Sequence, residues 1–124
     1  MAERLGALDS TFLNLEEAHL PMHVGGLLVF QTEPESAGRP GVDGIFATVE
    51  SRLPLLPRCR QRLVDVPLGL GRPVWIEDPD FDISNHLRRV HLPVPGTRTQ
   101  LYQMVETLHA RRLDRGRPLW EIYI

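Results

Sequence analysis

Between Pro95 and Arg112 the apolar residues Leu101, Met104, Val105 and Leu108 recur on one stripe of a 3.6-residue spiral, and Thr97 stands three positions before Gln100. That spacing predicts a helix opened by a capping box, each side chain bonding the other's backbone amide. A second helix is read from Val42, Ile45, Phe46, Val49 and Leu53, stopped by Pro54, which disfavours helix in the residue before it. A shorter one follows Asp9 or Ser10, whose side-chain oxygens can cap a turn carrying Phe12, Leu13 and Leu15. Met22 to Gln31 has a different period. Met22, Val24, Leu28 and Phe30 fall on one face and Leu27 and Val29 on the other, the pattern of a central strand covered on both sides. Gly25 and Gly26 inside it mark a bulge or a close approach by another backbone, with packing as the default reason.

Thr32 to Gly41 collects Pro34, Gly38, Pro40 and Gly41 and reads as a loop. Arg60 to Val66 and Pro73 to Ile76 read as short edge strands around a Gly-rich turn at Gly69 to Gly71. Gly116 and Pro118 halt any earlier element, after which Leu119 to Ile124 alternate, with Trp120, Ile122 and Ile124 opposite Leu119, Glu121 and Tyr123. The elements together predict a mixed α+β fold. The final segment places two aromatic and two isoleucine side chains on a strand, where a frayed polar end is more usual. The expectation is that the polypeptide continues past Ile124, or that a second chain supplies the missing partner strands.

With 124 residues the chain suits a single domain or part of one. Its hydrophobic fraction of 42% and charged fraction of 24% exclude global disorder and fibrous repeats. The formal charge of −2 offers no field for nucleic acid, and no basic surface with interleaved aromatics is visible, so nucleic acid is not an expected partner. All 14 cations are Arg. The single cysteine, Cys59, forms no internal disulfide and builds no cysteine zinc site, which fits a reducing compartment. No secretory leader is read at the amino terminus, and the longest strongly apolar stretch, Leu27 to Phe30, is too short to span a bilayer. A cytoplasmic location is expected, with at most peripheral contact with membranes or lipid inclusions.

Motif searches exclude more than they find. Ser10, Ser36, Ser51 and Ser84 lack the Gly-x-Ser-x-Gly surroundings of a nucleophile elbow. Gly69-Leu70-Gly71 lacks the third glycine of a dinucleotide fingerprint, since position 74 is Val74. Asp78-Pro79-Asp80-Phe81-Asp82 imitates a calcium loop, but Ile83 stands where Gly is needed and Arg89 where a bidentate Glu is needed. Those carboxylates are expected to bond turn amides. His86 and His91 are too few for zinc and are read as structural or surface residues. Arg58, Arg60 and Arg62 would project from one strand face as a cationic row able to meet a phosphate or a carboxylate, with a solvated edge as the favoured reading. No neighbouring carboxylate or nucleophile singles out His19, His23 or His109 as a base.

Several segments nevertheless form an ordered set. Leu8-Asp9-Ser10 with Phe12-Leu13, then Pro21-Met22-His23-Val24-Gly25-Gly26, then Pro57-Arg58 with Arg60, Arg62 and Leu63, are followed by the run from Trp75 to Asp82. His86, Leu92-Pro93, Pro95-Gly96, Leu113-Asp114-Arg115 and Pro118-Leu119-Trp120-Glu121 complete it. In order and spacing this resembles the amino-terminal part of bacterial wax ester synthase/diacylglycerol acyltransferases, and Pro118-Leu119-Trp120 matches a motif of that family.

The resemblance implies transfer of a fatty acyl group from acyl-CoA to diacylglycerol or a long-chain alcohol, giving triacylglycerol or wax ester. It implies a fold like the coenzyme A-dependent acyltransferases related to chloramphenicol acetyltransferase, a sandwich of two mixed α/β halves with a tunnel between them. No bound cofactor is implied, and acyl-CoA enters as a substrate. In that family a His-His-x-x-x-Asp-Gly motif supplies a histidine that takes the hydroxyl proton as the alcohol attacks the thioester. None of the five histidines here is paired with another or followed four positions later by Asp-Gly, so no catalytic residue is carried over. The expectation is an amino-terminal portion, residues 1–124, ending before the catalytic motif and inactive alone, completed by the carboxy-terminal remainder or a second chain. Pro118, Leu119 and Trp120 are the candidate substrate-binding residues, against the alternative that Trp120 is a core aromatic on a buried strand. A reading from another class is a non-catalytic lipid-binding or protein-interaction module derived from the family.

Overall fold

The computed structural model describes residues 2–31 and 41–124. Among the described residues are three α-helices and four short strands: α1 (Ala7–Leu15), α2 (Val42–Arg52), β1 (Gln61–Val64), β2 (Val74–Glu77), β3 (Leu87–Arg88), α3 (Arg98–His109) and β4 (Ile122–Tyr123). This is the expected mixed α+β content. Most of the predicted loop from Thr32 to Gly41 lies outside the described residues.

The capping box of α3 is present in both halves. Gln100 N–H donates to Thr97 Oγ1 at 3.2 Å, and Thr97 N–H donates to Gln100 Oε1 at 2.8 Å. α2 stops at Arg52, and the chain tightens into a 3₁₀ turn, Leu53–Leu55, because Pro54 cannot continue the α-helical ladder. α1 begins earlier than the sequence suggested. Its cap is Gly6, without a side-chain bond, Asp9 lies in the first turn where it meets the positive end of the helix dipole, and Ser10 is buried inside the helix.

β1 and β2 form the predicted antiparallel hairpin, with Arg62 opposite Ile76 and Leu63 opposite Trp75. The amino terminus lies along the outer edge of β2, where Leu5 N–H donates to Pro73 O and Trp75 N–H to Glu3 O, both at 2.8 Å. β3 and β4 run parallel, pairing Leu87 with Ile122 and Arg88 with Tyr123. Parallel neighbours need a long crossover, and the stretch containing α3 supplies it. The predicted terminal strand is therefore real, but paired regular structure covers only its Ile122–Tyr123 step. Among the described residues, Leu5, Leu53 and Leu87 are buried, together with Pro118, Ser10 and His86.

Two expectations change. Met22 to Gln31 carries no strand, and Val24, at 96% exposure, Leu28, Val29 and Phe30 are open to solvent. Alternation specifies faces for a strand but not a partner, and no partner for this segment exists among the described residues. The arginine row is also absent. Arg58 and Arg60 lie in a 3₁₀ turn, Pro57–Arg60, and only Arg62 is in a strand. Arg58 lies 4.4 Å over the Trp75 ring, Arg60 lies 5.5 Å over Phe81, and Arg62 faces Asp78 at 3.7 Å. The cations thus cover aromatic faces or meet a carboxylate, where a solvated edge was expected.

Candidate functional site: a groove between the His23 segment and the terminal strand

A groove of about 430 Å³ separates residues 23–27 from the apolar face of α3 and the chain around β4. Val105 and Leu108 of α3, with Leu113, Leu119, Trp120 and Ile122, make its surface largely apolar. At one end stands a polar chain: Arg111 donates to the Tyr123 hydroxyl at 3.2 Å, which donates to Glu121 Oε2 at 2.6 Å. Burial and the hydrogen bond to Glu121 push the Tyr123 phenol above its ordinary pKa. It therefore serves as a neutral donor at physiological pH.

Trp120 is fixed on three sides. Its indole Nε1–H donates to Cys59 O at 2.7 Å, its carbonyl accepts from His86 Nδ1 at 2.8 Å, and its ring stacks on His86 at 4.7 Å. Phe81 stacks on the other side of His86 at 5.3 Å. His86 is 2% exposed, so the sequence's structural assignment of this histidine holds. Burial pushes the Cys59 thiol up, away from the reactive thiolate. Of the three candidate substrate-binding residues, Leu119 and Trp120 line the groove. Pro118 is buried beside it, its carbonyl accepting from Trp120 N–H at 2.9 Å.

The opposite wall is held by Glu16, at the end of α1. Its carboxylate accepts from Met22 N–H at 3.0 Å and from Arg115 at 3.2 Å, tying the segment that carries His23 to the chain leading into β4. Burial raises the Glu16 pKa, but the Met22 amide and the Arg115 guanidinium outweigh it and leave the carboxyl below its ordinary value.

Sequence reasoning treated His23 and His109 as unrelated, yet their ring centroids are 4.5 Å apart across the groove. Gly25 permits the approach: a Cβ there would lie 2.7 Å from His109 Cδ2. The close neighbour expected at Gly25 is therefore an imidazole and not another backbone. The buried Nδ1 of His23 has no hydrogen-bond partner among the described residues. Nothing in the spacing of His23 and His109 signalled the pair, because their contact is a tertiary one between segments far apart in sequence.

No group of three His, Cys, Asp or Glu side chains able to hold a metal occurs among the described residues. The acidic run behaves as a pair of turns: Asp80 N–H donates to Asp78 Oδ1 at 3.2 Å and Ser84 N–H to Asp82 Oδ1 at 2.9 Å. No helix among the described residues is long and apolar enough to cross a membrane.

Comparison with known proteins bears on this groove. The wax ester synthase/diacylglycerol acyltransferase catalytic domain matches residues 5–124. The chain belongs to that family. Among acyltransferases of the family, it is 48% identical over 126 aligned residues to the probable diacylglycerol O-acyltransferase tgs3 of Mycobacterium tuberculosis, covering all of this chain and 45% of that protein. Identity to the probable diacylglycerol O-acyltransferase tgs1 of the same organism is 39%, over 97% of this chain and 25% of tgs1. The solved wax ester synthase/diacylglycerol acyltransferase from Marinobacter aquaeolei superposes with a TM-score of 0.79 at 36% identity, across 98% of this chain and 28% of that enzyme. The chain therefore spans less than half the length of these acyltransferases, and it shares with the Marinobacter enzyme the architecture that frames the groove.

Proposed function

We propose that this chain serves as the amino-terminal portion of an acyl-CoA-dependent O-acyltransferase that makes triacylglycerol or wax ester, and that the groove between His23 and Trp120 is one wall of its lipid tunnel. The observation carrying the reading is an apolar groove, lined by Leu119 and Trp120, in a chain that matches the catalytic domain family from residue 5 to residue 124. An acyl chain fits such a surface by area burial, at about 0.8 kcal/mol per methylene removed from water.

On this reading the fold is the first part of a chloramphenicol acetyltransferase-like sandwich, and the second part brings the reacting histidine. His86 is not that residue. It is enclosed between Phe81 and Trp120, with Nδ1 already committed to a carbonyl. His23 and His109 have no carboxylate bonded to either ring among the described residues, so nothing orients them as a general base. What the chain contributes is shape. Trp120, held by His86 and Cys59, fixes the wall, and the Arg111–Tyr123–Glu121 chain supplies a polar end. Acyl-CoA, diacylglycerol and long-chain alcohols are the substrates of the assembled enzyme, and no bound cofactor enters the scheme. Its place is the cytoplasm, at the periphery of membranes or lipid inclusions.

A chimera tests this. The matching segment of the Marinobacter enzyme is replaced by residues 5–124, and release of coenzyme A from palmitoyl-CoA is followed with hexadecanol or diacylglycerol. The chimera is expected to turn over, its Trp120→Ala variant about tenfold more slowly, and the isolated chain not at all. Turnover by the isolated chain, or a folded chimera without activity, overturns the proposal; the second result is the one expected of a non-catalytic module.

A further inference from the structure

We propose that Phe81 and Arg60 are positioning residues for the Trp120 wall of the groove, acting through the ring of His86. The acidic run from Asp78 to Asp82 uses carboxylates of Asp78 and Asp82 on turn amides, and Phe81 is its member that meets Arg60 and His86. The turns bring Phe81 and His86 face to face: Phe81 N–H donates to Asp78 O at 3.3 Å, Ser84 N–H to Asp82 Oδ1 at 2.9 Å and His86 N–H to Ile83 O at 2.9 Å. The side chains then stack in series. Arg60 lies 5.5 Å over Phe81, Phe81 lies 5.3 Å from His86 with 14° between the ring planes, and His86 lies 4.7 Å from Trp120 with 22°. Both ends of the series return to one 3₁₀ turn, Pro57–Arg60. Cys59 O accepts the Trp120 indole N–H, and Arg60, the next residue, is tied to the acidic run by Asp78 N–H donating to Arg60 O at 2.9 Å.

What the series supplies is an orientation. Trp120 lines an open groove, so packing does not set its plane from both sides. The bond from Nε1–H fixes one point on the edge of the indole and leaves the ring free to tilt about it. The ring of His86 sets that tilt. His86 is likewise hydrogen-bonded at a single ring atom, Nδ1, and Phe81 sets its plane from the other side. A core built for stability alone would place an apolar side chain at position 86, because a histidine at 2% exposure is a polar ring withdrawn from water. Histidine gives at once a flat face for both aromatic neighbours and a donor for the Trp120 carbonyl. Phe81 is half-buried and Arg60 exposed, so neither stands where it would add most to the core. The guanidinium over the electron-rich face holds the Phe81 ring in place.

This rests on the reading of the groove as a substrate wall, but one of its readouts needs no turnover. In the 124-residue chain, Phe81→Leu keeps an apolar side chain and removes the stacking face. Deuterium exchange of the Trp120 indole N–H, followed by NMR and assigned against Trp75→Phe, is expected to accelerate about tenfold. Thr97→Ala weakens the α3 cap on another element and is expected to change that rate by less than about twofold. In the chimera, Phe81→Leu is expected to raise the KM for hexadecanol or for palmitoyl-CoA about fivefold with kcat within about twofold, the signature of a misplaced binding wall. Phe81→Tyr, which keeps the ring, should restore both readouts, and Arg60→Gln should move both in the direction of Phe81→Leu by a smaller factor. Unchanged indole exchange in Phe81→Leu overturns the proposal. So does equal acceleration by Thr97→Ala, which would reduce the stack to general stability, and so does an unchanged KM beside faster exchange. A folded chimera without activity is a failure of the tunnel reading and overturns the substrate role proposed here with it, whereas unchanged indole exchange in an active chimera overturns the stack alone.

Discussion

His86 donates from Nδ1 to the carbonyl oxygen of Trp120 at 2.8 Å, and the two rings stack at 4.7 Å. This contact joins the end of the hairpin region to the terminal strand, since Ile122 N–H in turn donates to His86 O. His86→Ala removes a buried ring from between Phe81 and Trp120 and leaves a buried carbonyl unpaired. A loss of about 3 kcal/mol is expected in urea unfolding. A loss below about 1 kcal/mol would mean that the stack is not structural.

The α3 cap gives a smaller effect. Thr97→Ala removes the side-chain acceptor for Gln100 N–H and keeps only the backbone N–H that donates to Gln100 Oε1. Destabilisation of about 1 kcal/mol is expected, and Thr97→Ser should recover most of it. Equal unfolding midpoints for Ala and Ser would contradict this.

Glu16 makes stability depend on acid pH. Its carboxyl is held below the ordinary value by the Met22 amide and Arg115 against the opposing effect of burial, so the folded state binds its proton later than the unfolded state does. The stabilisation is complete above the unfolded pKa of about 4.3 and is lost as pH falls through the folded value. Wild type and Glu16→Gln should therefore differ in unfolding free energy at neutral pH and converge in acid. A constant difference across the titration would assign the effect to packing.

Gly25 and His109 should be coupled. Gly25→Ala forces the His109 ring away from its place beside His23, at a cost of about 1 kcal/mol because the neighbour is a side chain on an exposed helix end. His109→Ala should relieve that cost. Additive effects in a double-mutant cycle would show that the ring does not occupy this position.

Local chemistry carried the helices into the sequence reading. Thr97 and Gln100 announce α3, and Pro54 announces the end of α2, because capping and ring sterics act within a few residues. The hairpin was legible from its prolines and glycines. The parallel pairing of Leu87 with Ile122 was not, since a two-residue strand has no period of its own and its partner lies beyond a helix. For the same reason the alternation of Met22 to Gln31 suggested a strand whose ladder these residues do not form. In the groove, Leu119 and Trp120 were reached through the family motif, whereas His23 and His109 meet only after α3 has packed. The arginines misled because Arg58 and Arg60 sit in a 3₁₀ turn, where alternation has no geometric meaning.

The crossover between β3 and β4 also sets an order of assembly. The β1–β2 hairpin closes a short loop, whereas Leu87 pairs with Ile122 across the longer stretch of chain that contains α3. Closing the larger ring costs more chain entropy before any ladder bond repays it. The amides of Ile122 and Ile124 should therefore acquire protection from deuterium later than those of the hairpin, so that the β4 side of the groove is expected to take shape after the hairpin.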